Sequence, residues 1–308
     1  KVGCCMKYTP QEVIQFIQEE DVKFIRLAFC DCFGRPKNIS IMPHELERAF
    51  KYGIAIDASA IAGFGDEVNS DLFLHPDAST IALLPWRPEH GSVVRMFCSI
   101  THPDGTPFAH DTRGILKQAV ADAAKAGYAF SFGSELEFYL FRLDENGEVT
   151  DVPYDQATYM DVAPEDRCEN VRREICLTLE RMGIQPESSH HEEGPGQNEV
   201  DFRYSDPLSA ADNAVTFLTV VKTIAARNGL YADFSPRPLE GRPGSGFHAP
   251  GDGRDSGQDH GHDPIPQPHR AVLQPLGRTQ SAEVHFVVEQ QPLSAHSRSC
   301  RLRRVPAL

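Results

Sequence analysis

The sequence predicts an α+β protein with two domains, and three observations support this fold class. The chain has 308 residues, which is enough for two hydrophobic cores. Apolar residues recur at helical spacing in some segments and alternate in others, and no strand leads into the GxGxxG turn of a dinucleotide-binding fold. A turn-rich stretch, His102–Pro103–Asp104–Gly105, marks a boundary between the two domains.

We place the first domain at residues 6–105. Its first helix is predicted from apolar residues at helical spacing, with Thr9 as the N-cap and Pro10 in the first turn. The predicted elements are helices over residues 9–21 and 43–52 and strands over residues 22–29, 37–41 and 92–100.

We place the second domain at residues 106–248. An alanine-rich helix opens it and is closed by Gly127, a residue that readily adopts the left-handed conformation of a helix C-terminus. The predicted elements are helices over residues 112–126, 164–182 and 207–228, strands over residues 128–141, 197–204 and 230–234, and a strand that ends at His190.

Composition limits the class of protein. The net charge of −14, from 44 acidic and 30 basic residues, argues against a nucleic-acid-binding protein. The eight cysteines lack the spacing of a zinc site, as expected for free thiols in a reducing compartment. No apolar run approaches the length of about 18 residues that a membrane span needs. We therefore expect a cytoplasmic protein that does not cross a membrane.

Two carboxylates share one face of the strand predicted over residues 128–141. Side chains alternate along a strand, so Glu135 and Glu137 lie on the same face, roughly 6.6 Å apart, while the other face is apolar. Adjacent like charges on a core strand repel and lose hydration, so they need a cation or a shared proton. The alternative is a solvated outer face of an antiparallel sheet.

A second polar cluster lies in the segment HHEEGPGQNEV. The Gly194–Pro195–Gly196 turn folds Glu192 back towards Glu199, unless the segment is only a polar hairpin tip. His248 follows the glycine-rich GSGF and, taken alone, indicates no more than a loop histidine. Together with the strand predicted over residues 128–141, these segments offer four carboxylates and one imidazole, which suit Mg²⁺ or Mn²⁺ better than structural zinc.

Four motifs resemble, in their order and spacing, those of type I glutamine synthetases. They are DASAIAGFGDEVNSDLFLHPDAST, SELEF, HHEEGPGQNEVDF and FSPRPLEGRPGSGFH, and the resemblance covers Met6 to His248. It implies a small β-grasp-like first domain. It also implies a catalytic second domain of the glutamine synthetase/guanido kinase-like fold, built on a curved antiparallel sheet.

The resemblance implies two metal sites for Mg²⁺ or Mn²⁺. Glu137, Glu192 and Glu199 would hold one ion, which helps to bind glutamate and ammonia. Glu135 and His248 would hold the second ion, which faces the phosphates of ATP.

The resemblance also implies roles for residues outside the metal ligands. Asp57 would be supplied by a neighbouring subunit to help deprotonate ammonium, with Asp71 as its companion on the same loop. Asn198, Gly244 and His248 would contact the substrate. In this family ATP and glutamate form a γ-glutamyl phosphate, which ammonia attacks. Intact relatives are dodecamers of two stacked hexameric rings, so we expect a homo-oligomer.

Two departures from the family pattern leave the acceptor open. Ala58–Ser59–Ala60 follows the loop aspartate where the family usually has Gly-Ser-Ser, and Pro243 stands where Asn is common. A γ-glutamyl-polyamine or other amine ligase therefore remains an alternative to glutamine synthetase. A non-catalytic assembly protein of the same fold is a further alternative.

Residues 249–308 have a different character, with no lysine and no helical or alternating apolar run. At face value they form a disordered tail. Read one base later with permissible codons, IPQPHRAVLQPLG becomes FLNPTEQSYSRLG and TQSAEVHFVVEQQPLSAHS becomes RKAPKYISWSSNNRSAHIR, strings that resemble the missing glutamine synthetase segments. We therefore expect an insertion or deletion between the codons of His248 and Asp263, and a chain that is inactive as written because it lacks the ATP-binding arginines.

Overall fold

The computed structural model describes residues 8–64, 71–86 and 91–249 and the backbone of residues 251–255. These residues form two compact units. One comprises the described residues up to Ala121 together with Leu177–Ile184, and the other comprises Asp122–Cys176 and the described residues from Gln185 onwards. The domain boundaries predicted after residues 105 and 248 stay predictions.

The first unit is built on a mixed sheet of six described strands. Strands β1 and β6 at its centre are parallel, and the other strand pairs are antiparallel. The order β2-β1-β6-β4-β3, with β5 paired to β6, involves β1 (Val22–Cys30), β2 (Pro36–Ile41), β3 (Ile54–Asp57), β4 (Asp71–Pro76), β5 (Ala82–Leu83) and β6 (Ser92–Thr101).

Helices α1 (Pro10–Glu19) and α2 (Leu46–Tyr52) add buried residues such as Val13 and Leu46 to the core of this sheet. As predicted, Thr9 caps α1. Its hydroxyl accepts the N–H of Glu12 at 3.3 Å, and the Glu12 carboxylate accepts the N–H of Thr9 at 2.7 Å. Strands β3, β4 and β5, which have two to six residues each, were not predicted.

The second unit is built on an antiparallel sheet around its longest strand, β7 (Tyr128–Leu143). Strand β10 pairs with one edge of β7 and with β9 on its other side, while β11 and β12 pair with the opposite edge of β7. The remaining strands are β8 (Val149–Pro153), β9 (Pro186–His191), β10 (Gln197–Ser205), β11 (Leu230–Asp233), β12 (Phe247–His248) and β13 (Gly251–Asp255). The predicted α+β class is confirmed.

Three longer helices are α3 (Thr112–Lys125), α4 (Glu169–Arg181) and α5 (Pro207–Arg227). Helix α5 packs on the sheet through residues such as Phe217, whose ring lies 6.1 Å from that of Phe138. Helix α4 begins later than the predicted residue 164, because Asp166 accepts the N–H of Cys168 at 2.9 Å and so competes with helical hydrogen bonding. None of the described helices has the length and apolarity of a membrane span.

Strand β13 pairs with residues 128–132 of β7 and lies within the segment for which the sequence predicts a disordered tail. The antiparallel sheet therefore continues past His248 for a few residues. Residues 250 and 256–308 of that segment lie outside the described residues, and so do Met6 and the five residues before it.

Candidate functional site

Three strands of the second unit align acidic and imidazole side chains in one row. Glu199 of β10 lies directly opposite Glu137 of β7 and directly opposite His190 of β9. Directly opposed residues of antiparallel strands project to the same face of the sheet. The row therefore places two carboxylates beside an imidazole.

A second row runs parallel to the first, two residues along each strand. Glu135 of β7 lies opposite Asp201 of β10 and opposite His248 of β12. Asp201 is in turn opposite Ser188 of β9, whose hydroxyl donates a hydrogen bond to its carboxylate. Because strand side chains repeat with a period of two, both rows occupy the same face.

Glu192 joins this face from the turn that follows β9. Its N–H donates to the carbonyl of Gln197 at 2.9 Å, which fixes the start of the turn. Its Oε1 lies 3.4 Å from His190 Nδ1, and Glu199 Oε2 lies 3.5 Å from His190 Nε2. Ligand atoms of the three residues lie within 4.8 Å of one another, close enough to hold one metal ion.

Among the described residues, the hydrogen bonds that hold the Glu137 carboxylate reach one of its two oxygens. Its Oε2 accepts hydrogen bonds from Gln197 Nε2 at 2.8 Å and from the N–H of Gly246 at 2.9 Å. Its Oε1 lies 3.9 Å from His248 Nε2. The side chain thus has one oxygen fixed by the protein and one directed towards the other candidate ligands.

The carboxylates of the site oppose one another's ionisation. Burial, the hydrogen bond with Glu192 and the charges of Asp201 and Glu137 raise the pKa of Glu199 well above its usual value. Burial and the charge of Glu192 also raise the pKa of Glu137, although the N–H of Gly246 partly offsets them. A cation would remove this conflict, since it stabilises the ionised forms.

Two oxygens support the fit of a cation more directly. Glu135 Oε2 and Asp201 Oδ1 are buried, and neither has a hydrogen-bond partner among the described residues. A buried carboxylate oxygen without a donor or a cation is costly. The oxygen-rich set with one or two imidazoles fits Mg²⁺ or Mn²⁺, which prefer carboxylate ligands.

The structure brings the five predicted metal ligands to one face of one sheet: Glu135, Glu137, Glu192, Glu199 and His248. The predicted substrate residue Gly244 is next to them, with its carbonyl accepting a hydrogen bond from Gln197 Nε2 at 3.0 Å. Their roles as ligands and as a substrate contact stay predictions.

Asn198 does not join these residues. It lies between Gln197 and Glu199 on β10, so its side chain belongs to the opposite, fully buried face. There its Oδ1 accepts from Arg172 Nη1 at 2.6 Å and its Nδ2 donates to the carbonyl of Gly196 at 2.9 Å. These contacts tie Asn198 to the turn, and its predicted contact with a substrate stays a prediction.

Asp57 and Asp71 belong to the first unit and lie directly opposite each other on β3 and β4. Both are exposed. The N–H and the hydroxyl of Ser59 donate to Asp57 Oδ1 at 2.9 and 2.7 Å. The departures at Ala58 and Ala60 therefore leave intact the serine that orients the aspartate.

A second group of metal-ligand types lies buried behind the turn: Asp155, Asp166, Cys168 and His191. These residues are already paired with protein groups. Asp155 Oδ1 accepts from His191 Nε2 and from the N–H of Gly196, both at 2.9 Å, and Asp166 forms an ion pair with Arg172. The group therefore acts as a hydrogen-bonded anchor for the turn and needs no cation.

Burial acts to raise the pKa of Asp155, but the hydrogen bond and charge of His191 outweigh it, so the pKa is well below its usual value. Burial acts to lower the pKa of His191, but Asp155 and the carbonyl of Glu192 outweigh it and raise the pKa. The two residues thus form a buried ion pair.

Sequence reasoning missed four residues of this region: Tyr139, Tyr159, Gln197 and Asp201. Asp201 could have been found, because it lies two residues after Glu199 and so shares its face. Tyr159, whose ring lies 5.5 Å from that of His190, comes from a loop that carries no local signal.

Two family models match the chain. The glutamine synthetase beta-Grasp domain matches residues 21–103, and the glutamine synthetase catalytic domain matches residues 109–250. The glutamine synthetase of Clostridium saccharobutylicum is 48% identical over 242 residues, which are 79% of this chain and 55% of that protein. That of Methanosarcina mazei is 48% identical over 241 residues, 78% of this chain and 54% of that protein. The chain spans about half the length of the curated relatives it matches.

Solved structures show the same fold. The ADP complex of GmaS superposes with a TM-score of 0.71 at 27% identity, over 80% of this chain and 56% of that chain. The glutamine synthetase of Plasmodium falciparum superposes with a TM-score of 0.71 at 23% identity, over 79% of this chain and 53% of that chain, a likeness of fold alone.

Proposed function

Because the chain belongs to the glutamine synthetase family, we propose that its function is the ATP-dependent formation of glutamine from glutamate and ammonia through a γ-glutamyl phosphate. One observation supports this proposal most strongly. The two rows of one sheet face gather four carboxylates and two imidazoles, and two buried carboxylate oxygens there have no partner among the described residues.

The residues of this face divide into two proposed metal sites. Glu137, Glu192 and Glu199 would hold one Mg²⁺ or Mn²⁺, and Glu135 and His248 would contribute to the second. Such ions neutralise the charge that develops during phosphoryl transfer. The protein's own part is to hold the ligands at fixed positions on a rigid sheet, which limits the reorganisation needed when substrates bind.

The remaining roles follow from the family. Asp57, oriented by Ser59, would accept a proton from ammonium at the site of a neighbouring subunit, with Asp71 beside it. A homo-oligomer, a dodecamer as in intact relatives, would bring these elements together. ATP, glutamate and ammonia would be the substrates, and the enzyme would work in the cytoplasm.

A γ-glutamyl-amine ligase is the second candidate. Pro243 replaces an amide side chain at the position where the family commonly has Asn, so one potential substrate contact is lost. The likeness to GmaS, which binds ADP, shows that the fold is shared with a protein of another name.

The expected frame shift gives the test of these proposals. Resequencing the DNA from the Gly246 codon to the end of the reading frame decides whether a base is missing or added. The frame-restored protein and the 308-residue chain are then assayed for ATP- and glutamate-dependent phosphate release with ammonia, a polyamine or no amine.

We expect glutamine from ammonia with the frame-restored protein alone. Product from a polyamine in place of ammonia would support the second candidate. Glutamine formation by the 308-residue chain would contradict its proposed inactivity. A frame-restored protein that binds no metal and forms no product would support the non-catalytic assembly protein.

A further inference from the structure

The side-chain amide of Gln197 is buried and uses both of its donors and its acceptor. Its Nε2 donates to Glu137 Oε2 at 2.8 Å and to the carbonyl of Gly244 at 3.0 Å. Its Oε1 accepts the N–H of Gly194 at 2.8 Å and lies 3.2 Å from the Tyr139 hydroxyl.

These partners permit only one orientation of the amide. After a rotation of 180°, Nε2 would face the N–H of Gly194, and Oε1 would face the carboxylate of Glu137. Both contacts would be repulsive, because an N–H group cannot accept and a carboxylate cannot donate a hydrogen bond. Gln197 is therefore a fixed donor towards Glu137.

Tyr139 extends this arrangement to the loop that precedes His248. Its buried hydroxyl shares its proton between Gln197 Oε1 and the carbonyl of Pro243, which is at 2.7 Å. Tyr139 and Gln197 thus hold the carbonyls of two consecutive loop residues, Pro243 and Gly244. Anchoring through carbonyls does not depend on the side chain at position 243, so proline can replace asparagine there without releasing the loop.

The loop is equally constrained at its end. The N–H of Gly246 donates to Glu137 Oε2 at 2.9 Å, and its carbonyl accepts the N–H of Glu137 at 3.0 Å. A Cβ atom at Gly246 would lie 2.7 Å from both Glu137 Oε1 and His248 Nε2. A larger residue at position 246 would therefore have to displace the ends of these two side chains.

We propose that Gln197, supported by Tyr139, is a positioning residue that makes Glu137 offer a single oxygen, Oε1, to a divalent cation. The amide and the N–H of Gly246 occupy Oε2, so a bidentate contact of Glu137 with the ion is disfavoured. The same amide also fixes the Gly244 carbonyl, to which Nε2 donates at 3.0 Å. The inference rests on the proposed function in one respect, namely that this face binds a divalent cation.

The first measurement is Mn²⁺ binding to the 308-residue chain, monitored through the electron paramagnetic resonance signal of free Mn²⁺. Gln197→Met keeps the length of the side chain but removes all of its hydrogen bonds. We expect it to weaken Mn²⁺ binding about 10–100-fold, as is usual when a partner of a metal ligand is lost. Gln185→Met is the matched control, because Gln185 is exposed and pairs only with the exposed Arg203 among the described residues.

The second measurement is hydrogen exchange of the metal-free chain, which does not depend on cation binding. In Gln197→Met and in the milder Tyr139→Phe, the amides of Ser245 and Gly246 should exchange about tenfold faster, while those of helix α5 keep their protection. Tyr139→Phe removes one hydroxyl and preserves the packed ring, so it reports on the loop even if Gln197→Met does not fold.

The outcomes separate the two proposals. If the unmodified chain does not bind Mn²⁺, the metal site of the proposed function is wrong, and the exchange of Ser245 and Gly246 still decides whether Gln197 and Tyr139 position the loop. If Gln197→Met binds Mn²⁺ as tightly as the unmodified chain, or if neither variant speeds exchange in the loop, the positioning role is wrong.

Discussion

Asp201 and Glu135 lie directly opposite each other on strands β10 and β7, and each has a buried carboxylate oxygen with no hydrogen-bond partner among the described residues. Like charges at directly opposed positions destabilise an antiparallel pair. The arrangement is therefore unfavourable in the metal-free protein and becomes favourable when a cation lies between the carboxylates.

Asp201→Asn should stabilise the metal-free chain by about 1–3 kcal/mol, because it removes one of two opposed charges and the cost of an unpaired buried carboxylate oxygen. The same substitution should reduce the stabilisation that Mn²⁺ provides. Urea unfolding with EDTA and with Mn²⁺ measures both effects.

Asp151→Asn on strand β8 is the control for this substitution, because Asp151 is exposed and should respond to neither condition. A metal-free Asp201→Asn chain that is less stable than the unmodified chain would show that Asp201 serves as a structural acceptor, not as a cation-facing carboxylate.

The raised pKa of Glu199 predicts an unusual pH dependence for the metal-free chain. An acid with a raised pKa in the folded state stabilises the fold most below its unfolded value of 4.5, and this stability is lost as pH rises towards the folded pKa. Glu199→Gln resembles the protonated acid at every pH. It should therefore become the more stable protein as pH rises, by a margin that grows with pH up to the folded pKa of Glu199.

Saturating Mn²⁺ should reverse this order. The Glu199 carboxylate can lose its proton and bind the ion as an anion, whereas the neutral amide of Glu199→Gln cannot. Urea unfolding of the two proteins from pH 4.5 upwards, with EDTA and with Mn²⁺, measures both effects. If the free-energy difference between the two proteins does not change with pH in EDTA, the pKa of Glu199 is not raised.

The sequence predicted the carboxylate-bearing face of the second unit better than its surroundings. A period of two placed Glu135 and Glu137 on one side of β7, and the glycine turn returned the chain so that Glu199 became a neighbour. The same period also assigns Asn198 to the buried face, a consequence that the family resemblance did not reveal. Spacing alone could not find Gln197 or Tyr139, because their contacts with Pro243 and Gly244 join residues far apart in the chain.

The buried pair of His191 and Asp155 should make a large contribution to the stability of the second unit. His191→Ala or Asp155→Asn leaves a buried partner uncompensated and should cost about 3–5 kcal/mol. The exposed His44→Gln should change stability little. Thermal unfolding of the three variants at one pH provides the comparison.

The same pair sets two limits on pH stability. The raised pKa of His191 contributes stability that is full below its usual value of 6.5 and is lost as pH rises through the raised value. The lowered pKa of Asp155 contributes stability that is full above its usual value of 3.8 and is lost as pH falls. The stability of the unmodified chain relative to Asp155→Asn should therefore be greatest between pH 3.8 and pH 6.5. A stability difference that is uniform over pH would show that the two residues are not an ion pair.

Asp57 should act on the amine rather than on glutamate or ATP in the frame-restored protein. If it accepts a proton from ammonium, Asp57→Asn should lower kcat/KM for ammonia by about 10²–10⁴-fold, the range of general acid–base catalysis, with little change in the KM for ATP. The deficit should shrink as pH rises, since free ammonia then replaces the ammonium that Asp57 deprotonates.

Ser59→Ala tests the orientation of this aspartate, because the Ser59 hydroxyl donates to Asp57 Oδ1 at 2.7 Å and its N–H donates at 2.9 Å. The substitution removes the first hydrogen bond and keeps the second, so we expect a loss of about tenfold, smaller than that of Asp57→Asn. Both variants should retain the Mn²⁺ affinity of the unmodified protein, since the predicted metal ligands lie on the other unit.

If the Asp57→Asn deficit is the same at every pH, Asp57 binds ammonium by charge and does not take its proton. In that case neutralising the charge should matter more than disturbing the carboxylate's orientation, and Ser59→Ala should be nearly silent.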